Sequence, residues 1–343
     1  MRHFLNTLYV TTQGAYLARE RETLVVRVGQ ETRLRVPIHT LGSIVCFGLV
    51  SCSPQLMEMC GKRNVLISFL SERGKFLARV EGPVSGNVLL RRAQYRRADN
   101  ETASAALARA VVAAKIANSR TVLLRAARDH PGNPNKDALE AAIRRLERLL
   151  DEFQRPLDLD GIRGLEGDAA RTYFKVFDCL ITAQKEDFFF RERNRRPPLD
   201  NMNALLSFFY ALLAHDATSA LEACGLDPAV GYLHRDRPGR SGLALDLMEE
   251  FRPFLADRLA LSLVNRQQIR GKGFKKTESG AVLMDDKTRK EVLVAYQKRK
   301  QDEIQHPFLG EKVQVGLLPH LQAMLLARCL RGDLDGYPPF FWK

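Results

Sequence analysis

The sequence has little of what builds disulfide or zinc frameworks. Its six cysteines include no CxxC pair and show no zinc-like spacing with histidine. Free and mostly buried thiols are therefore expected. The chain also contains neither GxxxxGKS nor GxGxxG, so the sequence does not indicate a nucleoside triphosphate cofactor.

Long hydrophobic runs are missing as well. No stretch reaches the roughly 18 apolar residues that a membrane span needs. The N-terminal sequence MRHFLNTLYVTTQG lacks the sustained apolar segment of a secretory signal. We therefore expect a cytoplasmic protein with no membrane association.

Positive charge, in contrast, is in excess. The chain has 53 Lys and Arg against 40 Asp and Glu, a net charge of +13. Such an excess favours a polyanionic partner, with nucleic acid as the first candidate. At 343 residues and 45% hydrophobic residues, the chain can bury a sizeable core in two or three domains.

Two kinds of pattern divide the chain. Residues 1–80 contain short apolar runs broken by turn signals, which predicts a small β-rich domain. The segment EGPVSGN at 81–87 is typical of a linker. Residues 88–343 are Ala-, Leu- and Arg-rich with helical periodicity. The predicted fold class is α+β, a small N-terminal β-rich domain followed by a larger, mainly α-helical domain.

The stretch GYLHRDRPGRSGLALDLMEEFRP, residues 231–253, places a histidine ahead of an acidic amphipathic helix. Ser241 is a good N-cap, and the run to Phe251 contains neither Gly nor Pro after Gly242, so a helix is predicted there. Three acids share the face opposite its apolar stripe, namely Asp246, Glu249 and Glu250. Acids in this position usually form the solvated face of a surface helix.

The histidine supports a different interpretation of the same stretch. His234 lies seven residues before Ser241, and a turn at Pro238 would fold its imidazole towards the acids. Asp246 and Glu249, three residues apart on a helix, can address one point. One histidine with one or two carboxylates suits Mn²⁺ or Mg²⁺. A metal site and a plain surface helix both remain possible from these residues alone.

A second stretch, GLEGDAARTYFKVFDCL at residues 164–180, contains a misplaced acid. Glu166 falls in the middle of the apolar stripe of the predicted helix, whereas Asp168 falls on the opposite side. A carboxylate on a core-facing stripe is costly unless it is paired, protonated or bound to a metal. A structural salt bridge and metal ligation explain Glu166 equally well.

Basic residues cluster at several points of the helical part. Arginine runs are usually solvated, but the run before Pro197 adjoins a helix predicted to begin at Asp200, where it could hold a phosphate backbone. The candidate contacts with nucleic acid are Arg191, Arg193, Arg195, Arg196, Asn203, Arg240, Lys272 and Lys275.

Three blocks of the sequence carry a family resemblance. GLEGDAARTYF, RNRRPPLDNMNALLSFFYALL and GYLHRDRPGRSGLALDLMEEFRP occur in this order. They resemble the successive blocks of the CRISPR-associated spacer integrase, the Cas-one family. The likeness covers essentially the whole chain, and the ending PPFFWK resembles the type I-C branch.

The resemblance implies a function. It implies a metal-dependent DNA endonuclease and integrase, which inserts short duplexes (spacers) into a CRISPR array by attack of a 3′-hydroxyl on a phosphodiester. Residues 88–343 would form its catalytic domain. The implied ligands of Mg²⁺ or Mn²⁺ are Glu166, His234 and Glu249, with Asp246 as a supporting catalytic acid.

The resemblance also implies partners. Residues 1–80 would mediate a homodimer, and a partner of the Cas-two type would join two dimers in a heterohexameric integration complex on double-stranded DNA. Two alternatives remain: a stand-alone metal-dependent nuclease on branched DNA, and a non-catalytic DNA-binding scaffold. Two minor expectations are that Glu250 tolerates replacement, and that the segment 333–343 contacts DNA or a partner.

Overall fold

The fold combines a β-rich N-terminal part with a mainly helical remainder, so the predicted α+β class is confirmed. The computed structural model describes residues 6–72, 74, 76–80, 82, 88–130, 132 and 134–342. The linker predicted at 81–87 lies outside the described residues, Gly82 excepted.

The strands and helices have the following bounds along the chain. The strands are β1 (Thr7–Val10), β2 (Ala15–Glu20), β3 (Thr23–Val28), β4 (Glu31–Pro37), β5 (Ser43–Phe47), β6 (Ser51–Cys52), β7 (Leu66–Leu70), β8 (Phe76–Val80), β9 (Phe274–Lys276), β10 (Val282–Met284), β11 (Glu303–Gln305) and β12 (Lys312–Gln314). The helices are α1 (Pro54–Lys62), α2 (Val88–Ala98), α3 (Glu101–Asp129), α4 (Lys136–Glu152), α5 (Leu159–Lys175), α6 (Asn201–Ala223), α7 (Gly242–Glu249), α8 (Arg258–Asn265), α9 (Asp286–Gln301) and α10 (Leu318–Arg331).

The chain forms two compact units. The first comprises Met1–Gly86, Met284–Ile304 and Val313–Leu318, and the second comprises Asn87–Leu283, Gln305–Lys312 and Pro319–Lys343. Helix α9 thus belongs to the β-rich unit, although the sequence patterns had grouped it with the helical domain. That residues 1–80 and 88–343 are separate functional domains stays a prediction.

Two four-stranded sheets build the β-rich unit. Their strand orders are β1-β5-β7-β8 and β4-β3-β2-β6. Strands β1, β5 and β7 run parallel, with Thr7 opposite Ser43 and Ser43 opposite Leu66. The alternating side chains of both sheets, such as Leu24 and Ile44, fill a common core.

The helical unit is organised on α3 and α6. Helix α3, 29 residues long, packs against α4, α5 and α7. Helix α6 begins after Asp200, as predicted, because Asp200 Oδ1 accepts the N–H of Asn203 at 2.7 Å. By length and composition alone α6 could cross a membrane, but 67% of its apolar window is buried inside the protein, as in a core helix.

Helix α7 ends earlier than predicted. It spans Gly242–Glu249, and a short π-helical segment, Arg252–Asp257, follows it. Pro253 has no N–H to donate to a preceding carbonyl, so the regular hydrogen-bond ladder cannot continue through it. Glu249 and Glu250 therefore lie at the helix end, where both side chains are buried.

Candidate active site

The candidate site lies inside the helical unit, where three helices and one loop meet. Helix α3 contributes Lys115, α5 contributes Glu166, and α7 contributes Glu249, while His234 comes from the loop before α7. Because α3 packs against both α5 and α7, residues distant in sequence converge there.

Asp246 fixes the histidine of this site. Its Oδ1 lies 2.6 Å from Nδ1 of His234, and its two oxygens accept the backbone N–H groups of Tyr232, Leu233 and His234 at 2.6, 2.9 and 3.0 Å. A carboxylate only accepts, so Nδ1 carries a proton, and in the neutral imidazole the lone pair is therefore on Nε2. Both oxygens of Asp246 are occupied, and it is therefore a positioning residue.

Two glycines allow the histidine loop to lie directly on the start of α7. A Cβ atom on Gly231 would lie 2.7 Å from the carbonyl carbon of Gly242 and 2.9 Å from Oδ2 of Asp246. A Cβ atom on Gly242 would lie 2.7 Å from the carbonyl oxygen of Ala229. A side chain at either glycine would push the loop, and His234 with it, away from the helix.

Glu249 is buried among positive charges. Its Oε1 lies 2.7 Å from Nη1 of Arg252 and 3.9 Å from Nε2 of His234, and its Oε2 lies 2.7 Å from Nζ of Lys115. Burial alone would raise the pKa of Glu249, but the charges of Arg252 and Lys115 outweigh burial and lower the pKa to about 2. The carboxylate is therefore ionised at neutral pH.

Lys115 connects the two predicted carboxylate ligands. Its ammonium forms an ion pair with Oε1 of Glu166, a half-buried residue, in addition to the contact with Glu249. Lys115 itself is only 8% exposed. Glu166 therefore forms the salt bridge that the sequence analysis considered. The carboxylate in this salt bridge is the same one that is a candidate metal ligand.

The donor chemistry of this cluster fits Mg²⁺ or Mn²⁺, because it offers two carboxylates and an imidazole nitrogen. Oε2 of Glu249 is buried and accepts no hydrogen bond of normal geometry from the residues that the structure describes. Over those same residues, however, no three His, Cys, Asp or Glu side chains stand close enough to form a metal centre. The carboxylates of Glu166 and Glu249 both contact the Lys115 ammonium, and Nε2 of His234 lies 3.9 Å from Oε1 of Glu249.

Glu250 does not lie on a solvated face, and this corrects the interpretation from the helical wheel. It is fully buried, and its carboxylate accepts hydrogen bonds from Tyr337 Oη at 2.6 Å, Phe340 N at 2.7 Å and Gln322 Nε2 at 3.1 Å. Burial outweighs these hydrogen bonds and raises the pKa of Glu250 to about 7. The expectation that Glu250 tolerates replacement does not fit these contacts.

Two of these partners of Glu250, Tyr337 and Phe340, belong to a C-terminal strap, which we define as residues 337–342. Asn118 of α3 donates to the carbonyl of Phe340 at 2.9 Å and accepts the N–H of Trp342 at 2.8 Å. The Trp342 ring lies 4.2 and 4.4 Å from two guanidinium carbons, those of Arg125 and Arg258. The strap is thus packed into the helical unit, where its buried side chains cannot also contact DNA or a partner.

Two of the predicted DNA contacts are used inside the protein. Nη1 of Arg193 donates to Oδ1 of Asn203 at 2.7 Å, and Asn203, fully buried, donates to the carbonyl of Glu192 at 2.8 Å. A role of Asn203 in DNA contact does not fit this burial. The remaining candidates are exposed or half-buried, and their contact with DNA stays a prediction: Arg191, Arg195, Arg196, Arg240, Lys272 and Lys275.

The site is reachable from outside along two depressions. A groove of about 300 Å³ lies beside His234 and is also lined by Arg163 and Arg235. A smaller cavity borders Glu166 and is lined by Lys115, Arg195, Tyr210, Arg252 and further residues of α5. Both depressions combine cationic side chains with the candidate ligands, as a site for a phosphate backbone requires.

Sequence reasoning missed Lys115, Arg252 and the strap. Lys115 stands alone as a charge in AVVAAKIANS, residues 110–119, so the argument applied to Glu166 would have found it. Arg252 follows Glu249 by three residues, a spacing that pairs opposite charges on a helix. No local signal indicated the strap, because its partners lie far away in sequence.

An α+β chain with an oriented histidine, converging carboxylates and cationic grooves has the make-up of an enzyme acting on phosphodiesters. A family model described as "CRISPR associated protein Cas1" matches residues 8–298. The chain belongs to this Cas1 family, and the resemblance seen in the three sequence blocks is confirmed. Its assignment to the type I-C branch stays a prediction.

Curated relatives match over their full length. A protein named CRISPR-associated endonuclease Cas1 1, from Chlorobaculum tepidum, is 55% identical over 343 residues, which are 100% of both chains. CRISPR-associated endonuclease Cas1 2 from Rhodospirillum rubrum is 53% identical over 347 residues, again 100% of both.

Solved structures share the fold at lower identity. A casposase bound to integration product has a TM-score of 0.84 at 22% identity, covering 98% of this chain and 94% of that one. A Cas1 protein from Thermotoga maritima has a TM-score of 0.81 at 23% identity, covering 95% and 97%. A chain of a Cas6-RT-Cas1–Cas2 complex has a TM-score of 0.83 at 22% identity, covering 98% of this chain and 36% of its own length.

Proposed function

We propose that this protein is a metal-dependent DNA endonuclease and integrase that inserts spacers into a CRISPR array. The observation that carries the proposal is that Glu249 lies 3.9 Å from Nε2 of His234 and shares the Lys115 ammonium with Glu166, in a chain of the Cas1 family. The full-length relatives at 55% and 53% identity are named endonucleases, and the casposase of the same fold is bound to an integration product.

Glu166, His234 and Glu249 would hold the Mg²⁺ or Mn²⁺ ion. When bound, the ion stabilises negative charge that develops on the phosphoryl oxygens during attack. The chain prepares these ligands in advance. Asp246 keeps the Nε2 lone pair of His234 available, and Arg252 helps to keep Glu249 ionised.

Strand transfer needs no external energy source in this scheme. The 3′-hydroxyl oxygen of the incoming duplex bonds to phosphorus at the repeat boundary, while the target strand's own P–O bond breaks. The attacking hydroxyl gives up its proton and the leaving 3′-oxygen takes one up, so one phosphodiester replaces another. This balance agrees with a sequence that contains no nucleotide-binding motif.

The DNA and protein partners belong to the same proposal. The net charge of +13 and the exposed arginines and lysines supply sequence-independent contacts with phosphates. We place the protein in the cytoplasm, with a homodimer formed through residues 1–80 and a Cas2-type partner completing a heterohexamer. The fold shared with a chain of a Cas1–Cas2 complex supports this assembly.

The metal-site assignment is tested with two acids on one helix. Glu166→Gln should reduce strand transfer into a supercoiled repeat target by roughly 10²- to 10³-fold, since charge stabilisation is lost. Asp168→Asn is the matched control, because Asp168 lies two residues away and pairs with Arg145 of α4. DNA binding should survive in both variants, because replacing an acid removes repulsion of the phosphates rather than an attraction.

The same assay separates the alternatives. Full strand transfer by Glu166→Gln with Mn²⁺ present would contradict the metal site. Cleavage of branched DNA without any joined product, in the presence of the Cas2-type partner, would favour a stand-alone nuclease. Tight DNA binding with neither cleavage nor joining would favour a scaffold.

A further inference from the structure

Lys115 occupies the point on which the two carboxylate ligands converge. Its ammonium contacts Glu166 from α5 and lies 2.7 Å from Oε2 of Glu249 at the end of α7. The side chain reaches this point from α3, where the residues next to Lys115 in the sequence are almost all apolar. A single buried cation thus joins two acids carried by different helices.

Electrostatics explains why a cation is needed there. Two ionised carboxylates directed at one point repel each other, and repulsion is strong where water is largely excluded. Glu249 is 2% exposed, and a carboxylate buried to this extent requires a positive neighbour. Arg252 contacts Oε1 of Glu249, but Lys115 is the group placed between Oε2 and Glu166.

A divalent ion would bind the same carboxylate oxygens of Glu166 and Glu249 that the Lys115 ammonium contacts. Carboxylate oxygens bind Mg²⁺ at about 2.0–2.1 Å, well inside the space that an ammonium occupies at hydrogen-bond distance from both acids. Two cations also repel each other at such a separation. The ion therefore cannot take both oxygens until the lysine has moved from between them.

We propose that Lys115 is a positioning residue that holds Glu166 and Glu249 together until the divalent ion displaces it. The inference rests on the proposed metal site. Before the ion arrives, Lys115 balances the negative charges of both acids. Binding of the ion must therefore break two ion pairs. Ion affinity is consequently weaker than the same ligands would give without the lysine.

The test measures Mn²⁺ dissociation constants directly, by calorimetry and by the electron paramagnetic resonance signal of free Mn²⁺. Lys115→Met removes the competing charge, and we expect Kd to fall at least tenfold. Lys115→Gln keeps amide donors for both acids without the charge, so it should fold even if Lys115→Met does not, and its Kd should fall likewise. Lys115→Arg retains the charge and should bind no tighter than wild type.

A matched control comes from the neighbouring helix. Arg145→Met removes the ion pair with Asp168 on α5 without touching the site, and its Kd for Mn²⁺ should equal that of wild type. A second readout is thermal unfolding. In EDTA, Lys115→Gln should melt below wild type, since the two acids lose their cation, and Mn²⁺ should raise its Tm by more than it raises that of wild type.

The outcomes distinguish this inference from the proposed function. If wild type binds Mn²⁺ in a manner abolished by Glu166→Gln, but Lys115→Gln and Lys115→Met bind no tighter, the metal site stands and the role of Lys115 is refuted. If wild type binds no Mn²⁺ at this site, the proposed metal-dependent function fails, and the inference fails with it.

Discussion

Replacement of Glu250, the residue after the candidate ligand Glu249, should strongly destabilise the protein although Glu250 itself is no candidate ligand. In Glu250→Ala, the hydroxyl of Tyr337, the N–H of Phe340 and the amide of Gln322 all lose a buried acceptor. Gln322 keeps the Tyr337 hydroxyl and the carbonyl of Pro338 as acceptors, so two donors are left unsatisfied. Each unsatisfied buried donor costs about 1–3 kcal/mol, so we expect a loss of about 2–6 kcal/mol. That is a large share of the ~5–15 kcal/mol that stabilises most proteins.

The protein contains its own probe for this loss. Its single tryptophan, Trp342, is in the strap that Glu250 anchors, and it is buried between two guanidinium groups. Tryptophan emission followed through a urea titration therefore reports release of the strap. Glu250→Ala should release it at markedly lower urea, whereas Glu250→Gln keeps an acceptor and should stay within about 1 kcal/mol of wild type at pH 7.

The pH dependence gives an independent check. Burial raises the pKa of Glu250 from 4.5 to about 7, so the folded state binds its proton more tightly than the unfolded state. The resulting stabilisation is complete below pH 4.5 and is lost as pH rises to about 7, a change of about 3 kcal/mol. Wild type should show this decline in strap stability and Glu250→Gln should not. Equal urea midpoints for Glu250→Ala and wild type would refute the anchoring role.

Three further predictions follow from the site and the strap. Asp246→Asn should weaken Mn²⁺ binding about 10- to 100-fold by calorimetry, because Nδ1 of His234 loses its carboxylate; unchanged affinity would contradict the orienting role. Trp342→Ala should cost about 3–5 kcal/mol of unfolding free energy by circular dichroism in urea, and a cost below 1 kcal/mol would show that the ring is dispensable. The affinity for duplex DNA should fall steeply with salt and depend little on sequence, while a flat salt dependence in a filter-binding titration would exclude the phosphate-contact scheme.

Local patterns in the sequence predicted the elements that position the site. The strand and helix classes follow from periodicity, and the start of α6 follows from Asp200 as N-cap. Glu166 was singled out because an acid on an apolar stripe needs a positive partner, and the structure supplies one in Lys115. Arguments of this kind succeed where the unfavourable placement, here an acid on an apolar face, can be recognised within one helix.

The errors arise where distant segments decide burial. The helical wheel placed Glu250 on an open face because it contains no information about the strap, 87 and 90 residues further on. Asn203 was a candidate DNA contact for the same reason, since the local sequence does not show that Arg193 and Glu192 hydrogen-bond with its side chain. Helix α9 joined the β-rich unit although its local sequence is simply helical.

The strap also sets the order in which the molecule can be completed. Residues 337–342 leave the ribosome after every candidate ligand, yet Asn118 and Trp342, 224 positions apart, must be joined before the buried end of α7 is closed. Contacts of such sequence separation form late, because the loop entropy is lost before they stabilise anything. A chain interrupted before residue 337 would contain all three candidate ligands but would lack the strap residues that bind the Glu250 carboxylate at the end of α7.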